Sequence, residues 1–472
     1  MSQLNLLRLF FSNILSFKDE QEILFTAESK YNETPECYIN NIEAIEDNVI
    51  APVTALYGAN ASGKSNFIKI FDILSSMLGN TNKKHYIGYY QPFMLDEKSV
   101  MSPSKLVIDF CCDNYRYVLD ISFSFEGIIS EILTEYRGKV KNILYNRKKE
   151  KLKKIDKLKV SQFDIQYIED TLGKRNDLLV LDILDTRGIE HFHKIFEGLK
   201  TLIQIKDNTK KDDEYFFTTF AKKLYEDKSL KNRFVEFLKY ADLGIEDIKV
   251  TIDSSVFYSK NLSTNFTDNI LNQTIEETVK DPLHKGLKPQ EFFEEYFDSK
   301  HFYENLQKVL SDSNEKYNIY FIHKGVNGKK EYFTIENESL GTFKFAKYLM
   351  KFIPALLNGG VFVIDELESN LHPMILAKII ELFNDPKINI GKAQLIFSSH
   401  NTSILRNDIL KRDEIWFVEK NDEGCSEIYP LTDFNAIRKG FNYEKGYWEG
   451  RFGAIPYLNE INELADVLSK KD

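Results

Sequence analysis

Residues 54–71, Thr-Ala-Leu-Tyr-Gly-Ala-Asn-Ala-Ser-Gly-Lys-Ser-Asn-Phe-Ile-Lys-Ile-Phe, constrain the fold more than any other stretch of this chain. They contain the pattern GxxxxGKS from Gly58 to Ser65, placed between a short apolar run, Val53 to Tyr57, and an amphipathic helix pattern. A glycine-rich turn between strand and helix points successive backbone N–H groups, and the positive end of the helix, at a nucleotide's phosphates. Gly58, Asn60, Ala61, Ser62, Gly63, Lys64, Ser65 and Asn66 form the candidate nucleotide-binding set. In this arrangement Lys64 reaches the β- and γ-phosphates of ATP and the Ser65 hydroxyl holds Mg²⁺.

At 472 residues the chain is long enough for two or three domains, and a hydrophobic fraction of 43% supplies ample core. A net charge of −10 argues against a protein that holds duplex DNA along its whole surface, while leaving room for a local basic site. The four cysteines show neither metal-ligand spacing nor a disulfide framework, which predicts a reducing compartment. No charged N-terminal region with an apolar core is present, and the long apolar stretch Tyr348 to Ile364 is broken by Lys351, Pro354 and Gly359-Gly360. The expectation is a cytoplasmic protein with no membrane span.

Leu4 to Phe11 and Phe17 to Phe25 read as a β-rich opening. After the loop, Phe67, Ile68, Ile70, Phe71, Leu74, Met77 and Leu78 recur at helical spacing. Alternation from Lys105 to Glu135 predicts an antiparallel meander with turns at Asp113-Asn114 and Glu126-Gly127. Residues 139–160 hold ten Lys or Arg against Glu150 and Asp156, which is either a solvated surface or a contact for nucleic acid or an acidic partner. Residues 165–310 read as mostly helical, with apolar spacing in Ile189 to Ile205, Tyr215 to Leu224 and Leu230 to Leu243. The Asn- and Thr-rich stretch 259–276 is the part of this insertion expected to be most mobile. The division predicted is 1–160 and 317–472 as the two parts of an ATPase head, with 161–316 a mainly helical insertion.

The second half of an ATP site follows residue 317. Val361 to Ile364 is a buried parallel strand by pattern, and it ends in Asp365-Glu366. Asp365 is the candidate Mg²⁺ ligand, directly or through water, and Glu366 the base that polarises the attacking water. A third apolar strand, Ala393 to Phe397, ends in Ser398-Ser399-His400 and offers His400 as a further active-site group.

These elements together resemble the ABC-type ATPases, and more narrowly a group of bacterial AAA-annotated, ABC-like ATPases linked to phage defence. That group includes the ATPases of RloA/AbiL-type abortive-infection systems and the AriA ATPase of the PARIS anti-phage system. The matching segments are Asn13-Ile14-Leu15-Ser16-Phe17, the phosphate loop, Gln91-Pro92-Phe93 with Pro103-Ser104, and Ala241-Asp242-Leu243-Gly244-Ile245. Further matches are Glu338-Ser339-Leu340-Gly341-Thr342, Asp365 to Pro373, Ser399-His400 and Gly450 to Pro456. The implied fold class is α/β: an ABC-type P-loop ATPase head with an antiparallel β subdomain and a large helical insertion.

The resemblance implies that Ser339, Gly341 and Thr342 form a signature segment that completes the nucleotide site of a second copy in a head-to-head dimer or larger homo-oligomer. It aligns Gln91 with a glutamine that senses Mg²⁺ and the attacking water, and Glu368, Ser369, Asn370 and His372 with a segment along the dimer seam. It further implies an ATP- and Mg²⁺-dependent switch in phage defence, toxin–antitoxin-like, controlling a separate Toprim-type nuclease effector in response to a phage protein or nucleic acid. Ser-Leu-Gly-Thr departs here from the transporter form Ser-Gly-Gly. The alternatives are a self-contained nuclease of the OLD type and a DNA-repair or chromosome-associated ATPase of the SMC or RecF type. Only 72 residues follow His400, without an Asp-x-Asp metal element, which speaks against the first. The lack of sustained heptads and the acidic charge speak against the second.

Overall fold

The computed structural model describes residues 4–27, 38–39, 49–79, 88–113, 115–156, 159–205, 210–253, 316–434, 437 and 440–456. The segment 259–276 lies outside them. The chain divides into two compact units: residues 1–207 together with 351–472, and residues 208–350.

In chain order the first unit opens with strands β1 (Leu4–Ser12), β2 (Gln21–Leu24), β3 (Thr26–Ala27), β4 (Val49–Ile50) and β5 (Val53–Tyr57). Helix α1 (Lys64–Met77) follows, with a single turn of helix α2 (Glu97–Val100) beyond it. Then come β6 (Ser104–Cys112), β7 (Tyr115–Ser124), β8 (Gly127–Arg137), β9 (Val140–Lys148) and β10 (Lys151–Ile155). Each of β7 to β10 pairs antiparallel with the one before, β6 pairs with β1, and β1 and β2 complete the sheet in the order β10-β9-β8-β7-β6-β1-β2. The expected meander is therefore present, and it recruits the N-terminal strands as well. The inward residues of the alternating strands, among them Leu106, Ile108, Phe110, Leu119, Ile121 and Phe123, are buried in the main core.

Helices α3 (Gln162–Lys174), α4 (Val180–Thr186) and α5 (Glu190–Lys200) pack on this sheet, and Ile168, Leu172, Leu181, Phe192 and Leu199 join the same core. They belong to the first unit, whose first stretch of chain runs to Asp207. The apolar spacing from Ile189 to Ile205 does not continue as one helix: α5 ends at Lys200, and Leu202–Ile205 is a strand, β11. Its run Leu-Ile-Gln-Ile suits extended backbone, and a parallel neighbour, pairing Leu202 with Val361, takes up its hydrogen bonds.

A buried ion pair fastens α4 to the meander. Glu131 and Arg147, both with fully buried side chains, stand 3.5 Å apart. The Glu131 carboxylate accepts from Tyr145 Oη at 2.6 Å and from the Val180 backbone N–H at 2.8 Å, at the start of α4. Arg147 donates to the carbonyls of Leu178 and Asn176, the second at 2.8 Å. Burial pushes the Glu131 carboxyl up and the Arg147 guanidinium down, and their mutual attraction opposes both.

The second unit contains α6 (Lys210–Glu226), α7 (Lys228–Tyr240) and an antiparallel sheet of β12 (Ile245–Asp253), β13 (Lys316–Lys324) and β14 (Lys330–Thr334). Helix α8 (Leu340–Asn358) begins in this unit and ends in the first. The first unit then resumes with β15 (Val361–Ile364), α9 (Pro373–Asn384), β16 (Gln394–Ser398), β17 (Ile415–Lys420), β18 (Ser426–Pro430) and α10 (Tyr443–Trp448). Its second sheet has the order β11-β15-β16-β5-β17-β18, parallel except for β18. Every residue of β15, β16 and β5 is buried, as near-continuous apolar runs covered on both faces require. Gln394 joins the two sheets: its side chain accepts from the Leu6 N–H at 2.7 Å and donates to the Leu6 carbonyl at 3.1 Å.

Among the described residues, no helix is long and apolar enough to cross a membrane.

Candidate nucleotide-binding and hydrolysis site

Strands β5, β15 and β16 are adjacent and parallel, so their carboxyl ends open at one edge of the sheet. The chain leaves β5 into the glycine-rich turn, β15 into Asp365-Glu366, and β16 into Ser399-His400. Ligand sites in parallel sheets form at such edges because the strand ends deliver side chains while the following helices deliver their N-termini.

The turn has the backbone that its sequence predicts. Ala61 at φ 62° and Gly63 at φ 122° bend the chain back to the start of α1. A Cβ on Gly58 would strike the Val418 carbonyl, so only glycine fits there. The first N–H groups of α1 have no intrahelical acceptor and no side-chain cap. Lys64 is buried and folds over the loop, its ammonium donating to the carbonyls of Gly58 at 2.7 Å and Ala59 at 2.9 Å. Burial pulls it down to about 8, against the attraction of Asp365, Glu368 and Glu366. The Ser62 hydroxyl is buried without a hydrogen-bond partner among the described residues. Uncapped amides, an ammonium turned inward on carbonyls and an orphaned hydroxyl are together the donor set that a triphosphate chain needs. Ser65, Asn60, Ala61 and Asn66 line the same turn, with Ser65 and Asn66 half-buried on the first turn of α1.

Two serines hold the loop from outside: Ser16, of the Asn13–Phe17 segment, and Ser426, which no motif marks. Ser426 Oγ lies 2.6 Å from the Ser62 carbonyl and 2.8 Å from Ser16 Oγ, and the Ser426 N–H donates to the Ser16 carbonyl at 2.7 Å. A Cβ on Gly63 would collide with Ser426, a second reason for glycine at that position.

On the neighbouring strand ends, Ser398 arranges the two acids. Its hydroxyl donates to Asp365 Oδ1 and accepts from the Glu366 N–H at 2.8 Å. Glu366 itself takes the left-handed backbone, φ 48°, and both carboxylates are exposed at the strand end. The His400 N–H donates to Glu368 Oε1 at 2.5 Å. Burial, then Lys64, pushes the His400 imidazole down, opposed by Glu368, Glu366 and Asp365. Lys64, Asp365, Glu366, Glu368 and His400 therefore lie within electrostatic reach of one another. His372 caps α9, accepting from the Met374 N–H at 3.2 Å ahead of Pro373.

Gln91 is exposed and lies across a cavity of about 430 Å³ that it shares with Asn66, Leu15, Ser16, Phe93 and Lys420. Its carbonyl accepts from the Leu15 N–H at 2.7 Å. Asn13 explains why the N-terminal segment and the segment around Gln91 occur together. Its side chain donates to the carbonyls of Ser99 and Ser102, each at 2.8 Å, and accepts from the Phe93 N–H at 3.0 Å. Ser104 Oγ closes the loop on the Asn13 carbonyl at 2.5 Å.

Ser339, Gly341 and Thr342 belong to the second unit. Ser339 is exposed at the head of α8, where its hydroxyl accepts from the Thr342 N–H at 3.1 Å and lies 2.9 Å from Thr342 Oγ1. Leu340 beside it is 71% exposed.

A phosphate-loop turn and a helix start flanked by acidic and histidine-bearing ends of parallel strands make the α/β fold of a P-loop ATPase domain. The chain belongs to the AAA_21 family, described as "AAA domain, putative AbiEii toxin, Type IV TA system", whose model matches residues 53–406. A search of curated proteins finds no match. Among solved structures it is similar, at 12% identity and TM-score 0.37, to an SMC head bound to the C-winged helix domain of ScpA, covering 90% of this chain and 96% of that one. The SMC head domain from Thermotoga maritima gives the same identity and TM-score, with 90% and 98% covered.

Proposed function

We propose that this chain binds and hydrolyses Mg·ATP and works as the switch subunit of a bacterial anti-phage system. The observation that carries the ATPase reading is the convergence of Lys64, Asp365, Glu366 and His400 at three adjacent strand ends, with Ser398 bonded to both acids. In this reading the α1 amides and Lys64 would hold the phosphates, and Ser65, Asp365 and Gln91 would hold Mg²⁺. Bound Mg²⁺ would neutralise charge on the β- and γ-phosphates. Glu366 takes a proton from the attacking water, and His400 supports the γ-phosphate side of the site.

The signature residues Ser339, Gly341 and Thr342 act on the nucleotide of a second copy, so the working form is a head-to-head dimer or a larger ring of such pairs. The effector is a separate nuclease and the trigger a phage protein or nucleic acid. The words "putative AbiEii toxin, Type IV TA system" in the family description support a toxin–antitoxin-like role of this kind. Contact with nucleic acid is favoured by one further observation. Lys148, Lys149, Lys151, Lys153 and Lys154 are exposed on the β9–β10 hairpin, and among the described residues none of them makes a side-chain hydrogen bond or ion pair.

Two variants test the ATPase reading. Lys64→Ala should abolish binding of a fluorescent ATP analogue. Glu366→Gln should bind ATP normally, lower turnover by about 100-fold or more, and strengthen ATP-dependent self-association. Turnover by Glu366→Gln at the wild-type rate would remove Glu366 as the base.

A further inference from the structure

The signature turn of the second unit is anchored by a contact that neither the motif nor the family description names. Glu338, the residue before Ser339, has a side chain only 7% exposed, and its Oε1 is 2.7 Å from Nε2 of His323. His323 lies near the end of β13, opposite Ile245 of β12 and Glu331 of β14. Its ring stacks edge-on against Phe333 at 5.0 Å, and Gly244 leaves room beside its other nitrogen. On the far side, Glu338 closes a 3-10 turn over Ile335–Asn337, with its N–H donating to the Ile335 carbonyl.

The chain from Glu338 to Thr342 is thus held at both ends. The His323 contact fixes the entry, and the Ser339 hydroxyl, bonded to the Thr342 N–H, fixes the first turn of α8. Between them Ser339 and Leu340 are exposed and Gly341 is half-buried. A half-exposed serine on an unanchored loop would sample many positions, and a group that must meet phosphate charge in a transition state loses rate with each misplacement of about 1 Å.

We infer that His323 is a positioning residue for hydrolysis: through Glu338 it fixes the Ser339 turn in the orientation that the phosphate of a second copy requires. The inference rests on the reading of Ser339 as a contact made in trans. His323 touches no substrate, so its loss lowers the rate of hydrolysis without weakening nucleotide capture by the phosphate loop, which lies in the other unit.

The test compares His323→Ala, Glu338→Ala, the double variant and His323→Gln, with Ser339→Ala alongside, in steady-state ATP hydrolysis and fluorescent-nucleotide binding by the full chain. His323→Ala should lower kcat by about tenfold, the equivalent of one hydrogen bond to a charged group, and leave nucleotide affinity unchanged. The double variant should be no slower than Glu338→Ala alone, because both changes break one contact. His323→Gln, which keeps a donor, should recover part of the loss. Wild-type kcat in His323→Ala, additive losses in the double variant, or an equal loss of nucleotide affinity would each overturn the inference. Ser339→Ala separates the two layers. If it turns over normally, the trans reading fails; if it is slow while His323→Ala is not, only the positioning role fails.

Discussion

At the scale of single residues, Glu414 gives the most direct pH signature. It is fully buried in a 3-10 turn, with Oε2 accepting from the Lys411 N–H at 2.7 Å and Oε1 without a partner among the described residues. Burial pushes its carboxyl up to about 7 from an ordinary value of 4.5. The folded chain therefore keeps a proton on Glu414 through a range in which the unfolded chain has released it. Stability that is fully present below about pH 4.5 is lost as the pH rises towards about 7, and is flat above. Glu414→Gln carries no such proton, so its melting temperature relative to wild type should rise between about pH 4.5 and about pH 7. An offset that stays constant across that range would show that Glu414 does not titrate there.

At the scale of elements, the β9–β10 hairpin is where a charge argument can be decided. Lysines protect exposed sheet edges from pairing with other chains, and β10 is an edge strand. Five lysines within residues 148–154, with only Glu150 among them, exceed what edge protection needs and repel one another. If a nucleic acid relieves that repulsion, replacing the five with glutamate should abolish mobility shifts of duplex DNA. The wild-type slope of log affinity against log salt should then carry about 0.9 for each lysine that meets a phosphate. Wild-type and variant shifts that match would leave the lysines with edge protection alone. The same hairpin shows what the sequence made legible and what it did not. Strands β6 to β8, the phosphate loop, β15 with its two acids and β16 with its histidine were readable because each is encoded within a few consecutive residues. Strand β11 was hidden because four residues following a helix carry no period of their own, and only the parallel neighbour β15 makes them a strand. The roles of Ser398, Ser16 and Ser426 in holding the site escaped for a related reason. A lone serine has no pattern, and Ser426 meets its partner Ser16 across 410 residues of chain.

At the scale of the whole molecule, the parts of the proposed ATP site are divided between the two units. Lys64, Asp365, Glu366 and His400 belong to the first and Ser339 to the second. If the site is completed by a second copy, each dimer holds two sites, and each site takes its phosphate loop from one chain and its signature from the other. A chain carrying Lys64→Ala then retains a usable signature, and a chain carrying Ser339→Arg retains a usable phosphate loop. Each variant alone should be inactive, because every site in its dimers contains the defect. Mixed in equal amounts and allowed to exchange, half of the dimers contain one chain of each kind, and one of their two sites is free of both changes. ATP hydrolysis should return to about a quarter of the wild-type rate if the two sites work independently. A mixture as inactive as its components, after exchange of labelled chains has been demonstrated, would mean either that the site is completed within one chain or that both sites must be intact for either to turn over. Wild type mixed in equal amounts with the double variant Lys64→Ala/Ser339→Arg then separates these two outcomes: about half the wild-type rate means a site completed within one chain, and about a quarter means that both sites of a dimer must be intact.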